Sequence, residues 1–336
     1  MMILSITILL ILQLLIYFYL KNKQFHSYIA VQKIHDGDIP RIGGLIFFIG
    51  FIFLIFFNFN QISLIIPLIL SSTIILFFSF YEDIKQSLSP LIRLILLFLG
   101  SSIFIIFTEL PEINVRYLNF VNQYSLISFL VFTLSLMLLM NGFNFIDGLN
   151  GLSSFNFYSI LFSTYYLATI LGDVFLVDLI IIFLLSSVFI FILNFPLGRI
   201  FIGDSGSYLY AFFSGALVIY LFSRHPNLPT LLALVILAYP ITEMLFSIIR
   251  KSIKKKSPMQ PDTLHLHHLV FLQFSKTNKT ANNLSSLLML PFSISPFILC
   301  YLSINHLHVD EEVIFLIYFL TYSFVYLLLR KKRFNF

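Results

Sequence analysis

The chain has 336 residues, 59% of them hydrophobic and 10% charged, against roughly 25% charged in an average soluble domain. That composition excludes a soluble globular enzyme, and the net charge of +5 does not argue for nucleic acid, because the basic residues sit between apolar runs rather than on one polar face. The single cysteine, Cys300, excludes an intrachain disulfide and a cysteine metal cluster.

A membrane-spanning helix needs about 20 mostly apolar residues, and runs of that kind predict an all-α, polytopic transmembrane bundle of about eleven spans. In chain order they cover 2–20, 44–59, 61–79, 91–108, 124–141, 152–171, 174–193, 205–223, 228–250, 283–305 and 311–329. The first run has no basic residue before it and no small-residue cleavage site after it, so it reads as an uncleaved span rather than a signal peptide. The second and third runs, and the sixth and seventh, are joined so tightly that each pair predicts a helical hairpin. There are 42 Phe and 17 Tyr but no Trp, leaving interfacial anchoring to Tyr, Lys and Arg.

With eleven spans, the segments after odd-numbered spans share one side, and 18 of the 20 basic residues fall there. Only Arg116 and Arg224 fall opposite. The positive-inside rule then places the N-terminus outside and the C-terminus in the cytoplasm. The predicted single domain builds its site from cytoplasmic segments 21–44, 80–91, 141–152, 194–207 and 251–282.

Ionisable residues near a bilayer are costly, so those retained at helix ends invite a functional reading. Glu82 and Asp83 follow the third run, Asp147 lies in the Asn141 to Leu152 segment after the fifth, and Asp204 opens the eighth in Gly203-Asp-Ser-Gly-Ser. Taken singly, each reads equally well as a helix cap or a glycine turn. Together on one face, four carboxylates suit Mg²⁺, which keeps waters and bridges to substrate phosphates. Asn141 and Asn144, three apart, could share a helix face, and the helix start at Gly203 offers free N–H groups to an anion. His265, His267 and His268 lack the cysteine or helical i, i+4 spacing of a zinc site and suit anion binding or proton transfer. Lys33 and His35 precede Pro40-Arg41-Ile42-Gly43-Gly44 and add positive charge where phosphates dock. Lys254, Lys255 and Lys256 read as an anchor to lipid headgroups. Glu243 lies well inside an apolar run, where burial leaves it protonated or paired in a structural role.

These motifs, in this order over nearly the whole chain, resemble the polyprenyl-phosphate N-acetylhexosamine-1-phosphate transferases. Lys33 to Gly44 looks like the family's Pro-x-x-Gly-Gly segment, Glu82-Asp83 its aspartate pair, Asn141 to Leu152 its Asn-x-x-Asn-x-x-Asp-Gly segment, and Arg199 to Ser207 its Phe-x-Gly-Asp-x-Gly-Ser segment; the histidine motif completes the set. Glu82 replaces the usual first Asp, and Asn150 stands where many members carry a second Asp. The spacing Pro261-Asp262-x-x-His265-x-His267-His268 is closer to the N-acetylglucosamine-1-phosphate branch than to the phospho-muramoyl-pentapeptide branch, which is the alternative.

The resemblance implies transfer of a sugar-1-phosphate from a UDP-sugar to undecaprenyl phosphate at a bacterial inner membrane, with release of UMP. It implies Mg²⁺, with Mn²⁺ as a substitute, held by Asp204, Asp83 and Asp147, with Glu82 and the three histidines among the catalytic groups. It also implies substrate contacts from Lys33, His35, Asn141, Asn144, Asn150, Arg199 and Phe201, the last stacking on uracil. A homodimer fits this class. The rival from another class is a transporter of anionic solutes, which would place its charges near the midplane on broken helices.

Overall fold

The computed structural model describes residues 2–21, 39–59, 61–255, 264–274, 280–306 and 309–334. Among them the regular structure is helical: α1 (Met2–Leu20), α2 (Gly43–Asn58), α3 (Ile62–Lys85), α4 (Pro90–Ile106), α5 (Ser125–Ile146), α6 (Leu152–Ile170), α7 (Val174–Asn194), α8 (Gly203–Arg224), α9 (Leu232–Ile236), α10 (Ala238–Ile253), α11 (Leu266–Phe274), α12 (Ala281–Asn305) and α13 (Glu311–Phe334). Seven of these, α1, α3, α5, α7, α8, α12 and α13, are long and apolar enough to cross a membrane, and α2 and α4 are shorter apolar helices. The protein is a helical membrane protein. Its outer helices turn large apolar side chains such as Leu15, Phe57, Phe77 and Phe324 outward, where a soluble protein would place polar ones.

The helix ends follow from local chemistry. Ser89 caps α4, accepting from Ile92 N–H at 3.3 Å with Pro90 at the first helical position, and Asp173 caps α7 through Leu176 N–H at 3.2 Å. The expected single span at 228–250 is instead broken. Residue Leu237 separates α9 from α10, because Pro240 has no N–H to return to the Ile236 carbonyl one turn back. The histidine segment, expected as loop, forms the short helix α11. Two helices run further than hydropathy indicates, α3 through Glu82 and Asp83 to Lys85 and α5 through Asn141 and Asn144 to Ile146, so these polar residues sit on final helical turns rather than in loops.

Helix α8 is the hub, buried along its length and packed by α2, α3, α5 and α6. The phenylalanine excess finds its use here. Phe157 of α6 stacks on Tyr210 of α8 at 4.2 Å between ring centroids, and Phe183 of α7 stacks on Phe213 at 4.5 Å, contacts worth roughly 0.5–1.5 kcal/mol each beyond burial. At its N-terminal end, small residues let other backbones close in. A Cβ on Gly44 would lie 2.3 Å from Gly206 N, so the first turns of α2 and α8 touch backbone to backbone. Between them, Arg41 and Phe201 form an isolated parallel bridge, and Gly43 and Gly44 N–H groups donate to the Phe201 and Ile202 carbonyls, each at 3.1 Å. The Pro-x-x-Gly-Gly and Gly-Asp-x-Gly-Ser segments are thus one structural unit.

Candidate active site

The acidic motifs, separated by up to 122 positions, meet around the N-terminus of α8. Asp83 is fully buried, and its carboxylate spans the first turn of that helix. Oδ1 accepts from Asp204 N–H at 2.8 Å, and Oδ2 accepts from Ser205 N–H at 2.9 Å and from the Ser205 hydroxyl at 2.6 Å. An anion at a helix N-terminus meets free N–H groups and the positive end of the helix dipole. The approach requires Gly203, whose φ of +78° suits glycine and whose added Cβ would fall 2.7 Å from both Asp83 oxygens.

Asp204 is thereby aimed away from Asp83 and toward α5 and α4. Its Oδ1 accepts from Asn144 Nδ2 at 3.1 Å, and its Oδ2 faces Arg93 Nη1 at 3.4 Å. Asn144 also reaches Ser207 Oγ at 3.4 Å. Arg93 pairs with Glu82 Oε1 at 3.7 Å, while Glu82 Oε2 accepts from Leu88 N–H at 2.9 Å, fastening the α3–α4 turn. Arg41 lies 3.9 Å from Asp83 Oδ1. Asp147 stands at the C-terminal end of α5. Surrounding protein raises its carboxyl to about 8, Asp204 pushes in the same direction, Arg41 partly offsets them and Asp83 adds to the rise. The cluster is anionic and under-compensated, with Arg41 and Arg93 at its edge.

The Asp147 loop also meets the histidines. A Cβ on Gly148 would lie 2.5 Å from His267 Nε2, and the Phe145 and His265 rings are 5.1 Å apart. His267 is fully buried with neither ring nitrogen bonded. Burial, then His268 and His265, hold it well below the usual imidazole range, so it is neutral. His265 Nδ1 is 2.7 Å from Glu243 Oε1, which gives the buried Glu243 its partner.

Other expected site residues have different surroundings. Asn141 turns back onto its own helix, donating to the Met137 carbonyl at 2.8 Å. Asn150 is tied into α12: its N–H donates to Asn282 Oδ1 at 2.8 Å, its Nδ2 to Asn283 Oδ1 at 3.2 Å, and its carbonyl accepts from Ser286 Oγ at 2.5 Å. Asn283 Nδ2 in turn holds the Pro196 carbonyl at 2.8 Å. Arg199 is exposed and Phe201 half-buried, the latter held through its backbone N–H to the Pro40 carbonyl at 3.0 Å. Lys33 and His35 lie outside the described residues.

Sequence reasoning missed the parts played by Arg93, Ser205 and Asn194. Asn194 is buried and clamps two loops, accepting from Gly151 N–H at 2.6 Å and donating to the Ile200 carbonyl at 2.8 Å. A buried Asn at the end of an apolar helix was the available signal, since such a group keeps its place by bonding. For Arg93 the signal was a lone cation one turn into a span that follows an acidic pair.

As to metal, no three His, Cys, Asp or Glu side chains among the described residues group into a ready cage. Mg²⁺ asks for less, one or two carboxylates with waters and substrate phosphates completing the shell. Asp204 and Asp147 fit that role, being partly open and under-compensated. Asp83 fits it poorly, since both oxygens are already engaged by α8.

Comparison with known proteins agrees with the geometry. Residues 65–222, which carry the Glu82-Asp83, Asn141 to Leu152 and Gly203 to Ser207 motifs, match the sequence model of glycosyl transferase family 4. The chain is 26% identical over 273 residues to a probable undecaprenyl-phosphate N-acetylglucosaminyl 1-phosphate transferase of Bacillus subtilis, covering 80% of this chain and 75% of the relative. It is 28% identical over 259 residues to an undecaprenyl-phosphate alpha-N-acetylglucosaminyl 1-phosphate transferase of Thermotoga maritima, covering 76% of each. A protein of the latter name from Haemophilus influenzae is 42% identical over 79 residues, 22% of this chain and 21% of the relative. Motif order, the convergence of the motifs at one end of α8, and these likenesses agree in making the chain similar to glycosyl transferase family 4 over residues 65–222.

Proposed function

We propose that the protein transfers N-acetylglucosamine-1-phosphate, or a related N-acetylhexosamine-1-phosphate, from a UDP-sugar to undecaprenyl phosphate. The observation that carries this reading is the meeting of Asp83, Asn144, Asp147 and Asp204 with Arg41 and Arg93 at one helix N-terminus. Phosphates and a divalent cation are the partners such a mixed cluster suits. The names of the relatives point to the same donor and acceptor.

In this reaction an oxygen of the lipid phosphate bonds to the phosphorus bearing the sugar, the bond from that phosphorus to the bridging oxygen breaks, and UMP leaves. Mg²⁺, held by Asp204 and Asp147, would neutralise charge on the donor diphosphate and the leaving UMP. Asp83 holds the first turn of α8 so that Asp204 faces the substrates. Asn144 fixes the orientation of Asp204, while Arg41 and Arg93 bind phosphate oxygens. The histidines lie beside the Asp147 loop to bind phosphate or move a proton, and the half-buried Phe201 offers its ring to the uracil.

The site in this reading lies on the cytoplasmic face of a bacterial membrane. Counting α2, α4, α6 and the broken α9–α10 pair beside the seven long helices supports eleven crossings with the N-terminus outside. Arg224, one of the two basic residues expected opposite, sits at the far end of α8 from Asp204, about 30 Å away at 1.5 Å per residue. The test is to incubate purified protein with undecaprenyl phosphate and a panel of UDP-sugars and to measure UMP, with and without Mg²⁺. Release that needs both the lipid phosphate and a UDP-N-acetylhexosamine supports the reading. Release without the lipid, or none from any UDP-sugar, refutes it.

A further inference from the structure

Glu243 was expected to be structural, yet its surroundings tie it to the site. Both of its oxygens are engaged, Oε1 with His265 Nδ1 at 2.7 Å and Oε2 with the Tyr322 hydroxyl at 2.6 Å. All three side chains are nearly or fully buried. One face of α10 repeats the arrangement. Arg250, seven residues after Glu243 and so on the same face, donates to the Leu264 carbonyl and to the Tyr326 hydroxyl at 3.1 Å. Tyr326 is one turn after Tyr322 on α13. Consecutive residues of the histidine segment, Leu264 by its carbonyl and His265 by its ring, are therefore held by matched pairs from α10 and α13.

That cradle is set against the substrate side. A Cβ on Gly142 would lie 2.6 Å from the Pro240 carbonyl, so α10 is docked closely on α5, the helix leading to Asp147. The groups around His265 are Glu243 on α10, His267 and His268 on α11 with ring centroids 5.7 and 5.8 Å away, and Phe145 on α5 at 5.1 Å, itself under Lys251 Nζ at 5.5 Å.

We propose that Glu243 and Tyr322 are positioning residues that hold His265 as its Nδ1–H tautomer, leaving Nε2 with a lone pair to take a proton from the acceptor phosphate. This rests on the transfer reading above. A carboxylate only accepts, so with Tyr322 donating to one oxygen, the nitrogen facing the other must carry its hydrogen. When Nε2 takes the proton of a phosphate O–H, the charge that appears on the imidazole lies beside Glu243, and the freed phosphate oxygen is the attacking one.

The double acceptance gives a test that a packing role would not mimic. In Glu243→Gln the amide oxygen takes only one of the two carboxylate oxygen positions, so it faces either Tyr322 or His265 and not both. If it accepts from Tyr322, the NH₂ group donates to Nδ1 and forces the hydrogen to Nε2. In Glu243→Gln with Tyr322→Phe, the amide is free to turn its oxygen to His265. We expect Glu243→Gln to lower kcat for UMP release about 10- to 100-fold, the range for groups that orient a functional histidine, with little change in KM for the UDP-sugar. Tyr322→Phe alone should lower kcat less than Glu243→Gln, because Glu243 Oε1 still accepts from Nδ1–H, and the double variant should recover activity relative to Glu243→Gln. A double variant as poor as the Glu243→Gln single, or poorer, overturns the proposal.

Tautomers are read independently of activity from ¹⁵N-histidine spectra of the detergent-purified protein, with His265 assigned by its loss in His265→Gln. The wild type should show Nδ1–H at His265, Glu243→Gln should show Nε2–H, and the double variant should return to Nδ1–H. An Nε2–H signal in the wild type overturns the proposal even where Glu243→Gln fails to fold. If no UDP-sugar yields UMP, the transfer reading fails while the spectra still decide the tautomer.

Discussion

Replacing Asp83 with Asn, beside Asp204 with Asn, separates two carboxylates that look alike in the sequence. Asp83 has 0% side-chain exposure and accepts three hydrogen bonds through its two oxygens. An amide at that position keeps one acceptor oxygen. Turned toward Ser205, it leaves its NH₂ facing the Asp204 N–H, donor against donor. One buried donor left unsatisfied costs about 1–3 kcal/mol, and two bonds that lose their charge assistance cost roughly 1 kcal/mol each. The total is about 3–5 kcal/mol. The lost ion pair with Arg41, partly exposed at 3.9 Å, adds little. Asp204, by contrast, keeps 16% side-chain exposure and, among the described residues, has Asn144 at 3.1 Å and Arg93 at 3.4 Å as its side-chain partners. Its neutralisation also relieves repulsion with Asp83 and Asp147, so its stability cost should stay below about 1 kcal/mol. Thermal unfolding in detergent and UMP release are measured on both variants. At roughly 2–4 °C per kcal/mol, Asp83→Asn should lower the midpoint by about 10 °C and lose transfer. Asp204→Asn should lose transfer with its midpoint within about 2 °C of wild type. An Asp83→Asn protein as stable as wild type would refute the anchoring argument.

Three further outcomes follow from the same contacts. Gly44→Ala places a methyl 2.3 Å from Gly206 N, where backbone must move; overpacking of this kind costs about 1–3 kcal/mol, so both the unfolding midpoint and UMP release should fall. Asn150→Asp sets a carboxylate oxygen against Asn283 Oδ1, whose amide is already committed to the Pro196 carbonyl; an acid at this position should therefore destabilise this chain, by about 1–3 kcal/mol, seen as a lower midpoint in detergent. At the other end of α8, burial raises the Asp173 carboxyl, but bonds from Arg224 at 2.6 and 3.1 Å and from His225 at 2.8 Å prevail and hold it below the ordinary value. Its contribution to stability is therefore complete above the unfolded value near 4 and is lost only as pH falls through the lower folded value. Acid unfolding should begin at higher pH in Arg224→Ala than in wild type, and an unchanged acid profile would contradict the clamp.

Much of the site was legible because its residues are conspicuous where they stand. Carboxylates, asparagines and histidines are expensive beside a bilayer, so Glu82, Asp83, Asn144, Asp147 and Asp204 stood out against their apolar surroundings, and the convergence of Asp83 and Asp204 followed from a shared face. What hydropathy could not supply was orientation within that face. It ended the third and fifth spans where apolar residues ran out, while the helices continue through their polar last turns, and this is what lets Asn144 reach Asp204 as Asn141 turns back to Met137. It read 228–250 as one span because Pro240 interrupts hydrogen bonding without interrupting apolarity. It left Asn150 as a departure from its relatives, because the compensating partners, Asn282 and Asn283, lie 132 and 133 positions away. Glu243 was expected to be either protonated or paired in a structural role, and its partners, His265 and Tyr322, could be found only from the fold.

UMP release by the purified protein, supplied with undecaprenyl phosphate, Mg²⁺ and a UDP-N-acetylhexosamine, tests the central claim most directly when run beside Asp204→Asn of equal thermal stability. The account predicts release that depends on the lipid phosphate and is lost in the variant. Transfer at the wild-type rate by a folded Asp204→Asn protein would contradict it.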